Sequence, residues 1–187
     1  MKWGRCSLPT VYCRFTKLGR SDDNLLMNST KAGAPPYTAV PTPASIWSDE
    51  FLLGFALMDE VHKEFIQFAG RLLKAPQAEL SVALDEMAVH LDRHFGLEDK
   101  WMRETEFPPR DCHIDEHAAV MKSVREVQAL LVSADENGSE QAHFTARSLA
   151  VALQDWFPGH ATHLDSALSH WMCKQRHGGK PVVLRRR

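Results

Sequence analysis

The chain has 187 residues, 44% of them hydrophobic, and a formal net charge of −2. That is enough for one domain with its own core, and the near-neutral balance removes any global electrostatic case for binding nucleic acid. Cys6, Cys13, Cys112 and Cys173 form neither a CxxC pair nor a disulfide framework, which points to a reducing, cytoplasmic setting.

Residues 1–45 differ from the rest. Gly4, Pro9, Gly19, Gly33, Pro35, Pro36, Pro41 and Pro43 interrupt them, and no helical or strand period persists. The expected state is a flexible or loosely docked extension, with Met27 as a second possible start of translation. Lys2, Arg5, Arg14, Lys17 and Arg20 have no continuous apolar run behind them, so this is not a secretory signal. No stretch of the chain is long and apolar enough to suggest a membrane span.

The folded part is expected over residues 46–173. From about Leu57, Met58, His62, Phe65, Ile66, Ala69, Leu72 and Leu73 recur at helical spacing. Ala75-Pro76 should end this helix, because proline disfavours helical backbone in the residue before it. A second helix beginning near Ala78 carries the stripe Leu84, Met87, Leu91, His94, Glu98 and Met102, and stops before Pro108-Pro109. A third, from about Arg110, carries His113, His117, Val120, Val124, Val127 and Leu131. Residues 135–139 read as a turn, with Ser139 as a plausible N-cap. The fourth carries Ala146, Leu149, Leu153, Trp156, His160, Leu164 and Leu168 and runs to about Cys173. Residues 174–187 form a basic, solvated tail. No strand period appears. Four amphipathic helices with short connections predict an all-α, up-down-up-down antiparallel four-helix bundle.

Each apolar stripe contains side chains able to bind a metal: His62 on the first, His94 and Glu98 on the second, His113 and His117 on the third, His160 on the fourth, with Asp165 five residues later. Residues four apart on a helix lie on one face, so four of these converge from two consecutive helices. Five imidazoles and two carboxylates inside one bundle would be costly without a cation. They are too many for one ion and suit two. No thiolate is present, which argues against structural zinc or an iron–sulfur cluster; iron, manganese and zinc all suit a mixed nitrogen and oxygen set. Carboxylates can bridge two ions and histidines cannot, so Glu98 and Asp165 are the natural bridges. The five histidines then divide three to two, and the ion with two keeps an open position.

At this point the sequence resembles the hemerythrins, in particular the bacterial hemerythrins, over roughly residues 46–172. The matching pieces are Trp47, Asp59-Glu-Val-His62-Lys63, His94-Phe95-Gly-Leu-Glu98-Asp99-Lys-Trp-Met102, Phe107-Pro108 followed by His113 and His117, and Trp156 followed by His160 and Asp165. The resemblance implies two iron ions in an oxo- or hydroxo-bridged, non-haem centre. It assigns His113, His117 and His160 to the filled iron, His62 and His94 to the iron with the open site, and Glu98 and Asp165 to the bridges. The implied act is reversible binding of dioxygen for storage, delivery or scavenging, rather than turnover. The alternatives are a di-iron enzyme reducing peroxide or nitric oxide, or an oxygen, redox or iron sensor. Met58, Phe95, Trp156 and Phe157 are expected to wall the oxygen pocket.

Three departures from the family pattern stand out. Phe157 replaces the usual leucine. Pro158-Gly159 precedes His160 inside a predicted helix, and residues five apart on a regular α-helix point about 140° from each other. A widened or bent turn between Pro158 and Asp165 is therefore predicted, bringing both His160 and Asp165 inward. Asp99 replaces the commoner second glutamate, at a position expected to be exposed and of little consequence. His90, His143, His163, His170 and His177 are expected at the surface, and Cys112 as a small packing residue.

Overall fold

The computed structural model describes residues 49–135 and 140–177. The expectations for residues 1–45, Trp47, Ser139 and most of the basic tail lie outside the described residues. Helix α1 spans Ala56–Lys74, α2 Leu80–Glu104, α3 Arg110–Asp135 and α4 Glu140–His160. A π-helical turn, Ala161–Asp165, joins α4 to α5, Ser166–His177. Among the described residues there is no strand, and no helix is long and apolar enough to cross a membrane.

The four long helices form an antiparallel bundle, α1 against α2, α2 against α3, α3 against α4, and α4 back against α1. Their boundaries follow local chemistry. Ala75, ahead of Pro76, takes φ −56° and ψ 135° and ends α1. From α4, Arg147 donates to the carbonyls of Leu73 and Ala75 at 3.1 and 2.9 Å, pinning that corner. At the end of α2 the chain turns sharply. Phe107 N–H bonds Met102 O at 2.9 Å and Glu106 N–H bonds Arg103 O at 3.4 Å, with Glu106 at φ 52°. This is a Schellman closure with an exposed glutamate in the left-handed position that glycine usually fills. Its apolar contact is present too, since Phe107 and Met102 share one buried cluster.

Two apolar clusters flank a polar layer. The larger runs from Phe65, Leu72, Leu84 and Leu91 to Val124, Leu131, Leu149 and Phe157. The smaller comprises Phe55, Met58, Met102, Phe107, Leu168 and Met172. The candidate ligands lie where the two clusters approach each other, so apolar packing closes the polar layer on both sides. Asp59, though buried, is satisfied locally: it accepts from Leu53 N–H at 2.7 Å and Gly54 N–H at 3.2 Å, fixing the entry to α1.

The fourth helix shows the predicted widening. It continues through Pro158 to His160, and the next turn closes with Ser166 N–H bonded to Ala161 O, five residues apart. A five-residue hydrogen-bonded step stacks residues that an α-helix would splay, so both His160 and Asp165 face inward and are buried. Leu164, expected on the apolar stripe, is consequently only half-buried. Neighbouring side chains serve the carbonyls of the widened turn. Thr162 Oγ1 donates to Pro158 O at 2.7 Å, His163 Nδ1 lies 2.8 Å from Gly159 O, and Ser166 Oγ donates to Thr162 O at 2.6 Å.

A candidate di-metal centre

The bundle brings all seven predicted ligands together, none more than 2% exposed. Every histidine turns its Nε2 toward the centre. Asp165 Oδ1 lies 3.0 Å from His113 Nε2 and 3.2 Å from His160 Nε2, while Asp165 Oδ2 lies 3.1 Å from His62 Nε2. Glu98 divides in the same way. Its Oε1 is 3.0 Å from His94 Nε2 and 3.8 Å from His62 Nε2, and its Oε2 is 3.3 Å from His117 Nε2 and 3.5 Å from His113 Nε2. Each carboxylate thus presents one oxygen to a three-histidine group and the other to a two-histidine group.

Ligand atoms close enough to share an ion form two sets: Glu98, His113, His117, His160 and Asp165 in one, His62, His94 and Glu98 in the other. The donor chemistry fits cations. His160 Nε2 lies 3.1 Å from the Nε2 of both His113 and His117. Imidazole nitrogens massed so closely repel unless a proton or a metal lies among them. Both oxygens of Asp165, Glu98 Oε2 and His62 Nε2 are buried without a hydrogen-bond partner, which is costly in a metal-free protein.

The hemerythrin HHE cation-binding domain model matches residues 53–170. The chain belongs to the hemerythrin family. It is 30% identical over 133 residues to a bacteriohemerythrin of Ralstonia nicotianae, covering 71% of this chain and 92% of the relative. A bacteriohemerythrin of Aquifex aeolicus is 30% identical over 118 residues, 61% of this chain and 86% of the relative. One from Campylobacter jejuni is 26% identical over 118 residues, 60% and 83% respectively. No solved structure matches significantly.

Within this hemerythrin bundle the charges follow from crowding. Burial disfavours the charged rings of His62 and His113, yet the close carboxylates of Asp165 and Glu98 outweigh it and push both up to about 9. His160 is also raised: burial opposes its charge, and Asp165 and Glu116 overcome that. His94 is lowered, burial prevailing over the attraction of Glu98. Burial would raise Glu98 and Asp165, but the surrounding imidazoles hold both well below the usual carboxylate range. Bound metal would take over the role of these protons, because ligands must be deprotonated to coordinate.

The four expected pocket residues are all buried, but they spread around the hemerythrin centre. Phe157 meets His62 edge-on, 5.1 Å between ring centroids at 89°, on the two-histidine side. Phe95 stacks on His117 at 4.0 Å and 8°, with His94 at 5.3 Å. Trp156 lies against His160 at 4.3 Å, on the three-histidine side. Met58 sits in the smaller apolar cluster, one turn before His62.

Asp99 and His90 differ from their sequence expectation, and Glu116 joins them as a residue with none. Asp99 is half-buried and its Oδ1 lies 2.9 Å from His117 Nδ1, so its position is not idle. His90 is buried, stacked on Phe68 at 5.1 Å, and burial, with the neighbouring His94 ring and the Arg93 guanidinium, lowers it to about 3. Glu116 was not distinguished in the sequence. It accepts from Trp156 Nε1 at 2.8 Å and faces His160 Nδ1 at 3.3 Å. The available signal was position alone: Asp99 and Glu116 are each adjacent to a candidate ligand, Glu98 and His117. His163 and His170 are exposed as expected, and His143, half-buried, pairs with Gln77.

Proposed function

We propose that this chain binds dioxygen reversibly at a pair of iron ions, as an oxygen store, carrier or scavenger in the cytoplasm. The observation that carries the proposal is the unequal division of one buried ligand set: three histidines on one side, two on the other, with two carboxylates shared between them. In this reading His113, His117 and His160 hold one ion, His62 and His94 hold the other, and Glu98 and Asp165 span both. The iron pair, when bound, supplies the electrons and positive charge that attract a diatomic ligand. The chain supplies the rest. The smaller histidine complement leaves room for that ligand on the side of His62 and His94. Phe157, with no exposure, closes that side and excludes water, and a dry wall around a metal site limits proton access. In this reading residues 46–173 form the binding unit.

The second reading is reduction of peroxide or nitric oxide. The observation that favours it is His90, which the seven ligands leave out. Its ring is 5.5 Å from His94, and its Nδ1 is 3.5 Å from the partly exposed carboxylate of Glu64. This is a line of polar groups from the surface toward the two-histidine side.

Oxygen titration of the anaerobic, ferrous-loaded protein separates the two. Carriage predicts a visible charge-transfer band that appears with oxygen and vanishes on degassing, through repeated cycles. Immediate conversion to a stable ferric form without that band, together with turnover of peroxide or nitric oxide using an added electron donor, would replace carriage with the enzymatic reading.

A further inference from the structure

The two halves of the ligand cluster differ in what stands behind their histidines. On the three-histidine side, His117 Nδ1–H donates to Asp99 Oδ1 at 2.9 Å, and His160 Nδ1–H donates to Glu116 Oε1 at 3.3 Å. On the two-histidine side, the Nδ1 atoms of His62 and His94 are both buried without a hydrogen-bond partner. His113 Nδ1 is unpartnered as well, so the contrast is two of three against none of two.

An ionised carboxylate can only accept, so each one fixes the proton on Nδ1 and leaves the Nε2 lone pair aimed at the centre. It also raises the basicity of the ring as a ligand. Both carboxylates are themselves held. Arg103 donates to Asp99 Oδ2 at 3.3 Å, and the Trp156 indole donates to Glu116 Oε1 at 2.8 Å. The pattern steps around the bundle. Asp99 follows the ligand Glu98 on α2 and reaches His117 on α3, while Glu116 precedes His117 on α3 and reaches His160 on α4. A side chain next to a ligand in sequence thus braces a ligand on the following helix.

We propose that Asp99 and Glu116 are positioning residues that make the three-histidine half the tighter metal site, filled first and emptied last. The proposal rests on the two-metal reading above. The test is an anaerobic calorimetric titration of the metal-free, full-length protein with ferrous iron. The wild type should take up two ions in two resolved steps. Asp99→Asn and Glu116→Gln, each removing charge but little volume, should weaken the tighter step by about 10–100-fold and leave the weaker step in place. Asp99→Glu, which restores a carboxylate, should recover most of the loss. Melting of the metal-free variants should match the wild type, so that a folding defect does not imitate the effect. A tighter step unmoved in both variants, or equal weakening of both steps, would overturn the proposal while leaving the two-metal reading intact. A wild type that takes up fewer than two ions would overturn that reading, and this inference with it.

Discussion

Replacing Asp165 with asparagine should leave the bundle folded and strip it of its second metal ion. Asp165 is one of only two side chains among the candidate ligands that can face both halves, with Oδ1 toward His113 and His160 and Oδ2 toward His62. Two cations held close together repel strongly in a buried site, and the negative charge between them offsets that repulsion. Asparagine keeps the size and one oxygen but removes the charge. Leaving a buried charge uncompensated costs about 3–5 kcal/mol, which corresponds to roughly a hundredfold or more in affinity. Iron counted by mass spectrometry should fall from two per chain to one or fewer, while far-ultraviolet circular dichroism keeps its helical signal. Two irons retained at wild-type affinity would mean that Asp165 does not bridge.

The second large effect belongs to Phe157. Its side chain is fully buried, stacked on Phe65 at 4.5 Å and 18°, set edge-on to His62 at 5.1 Å, and 5.9 Å from Phe51. Phe157→Ala removes a ring from a tightly packed layer and should destabilise the protein by about 3–5 kcal/mol. A shift in the urea midpoint at constant slope measures this. Phe157→Leu, the residue usual in the family, should cost about 1 kcal/mol because volume is nearly kept. Both substitutions open space beside His62, so oxygen should leave faster and iron should oxidise faster in both, more so in the alanine variant. Unchanged oxidation in Phe157→Ala would remove Phe157 from the pocket wall.

The helices and six of the seven candidate ligands were legible because their residues obey the period of the element that carries them. His94 with Glu98, and His113 with His117, recur at four-residue spacing on stripes otherwise made of Leu, Met and Val. Asp165 breaks that period: chemistry alone marked it as a bridge five residues after His160, and a regular helix would have pointed it away. The π turn supplies the physical reason the spacing works. Asp99, Glu116 and His90 were beyond such reading. The first two lie beside ligands in sequence, where successive helical residues point different ways, and their partners are on the next helix. His90 looks like the polar edge of α2 until Phe65 and Phe68 of α1 cover it. Only tertiary packing decides such positions.

Two irons in one buried ligand set, divided three histidines to two, should be visible directly. Crystals of the iron-loaded protein, measured at the iron absorption edge, test it most directly. Two anomalous peaks are expected inside the bundle, one among His113, His117 and His160 and one beside His62 and His94, with Glu98 and Asp165 reaching both. A single peak, or two peaks with either carboxylate turned away from one of them, would contradict it.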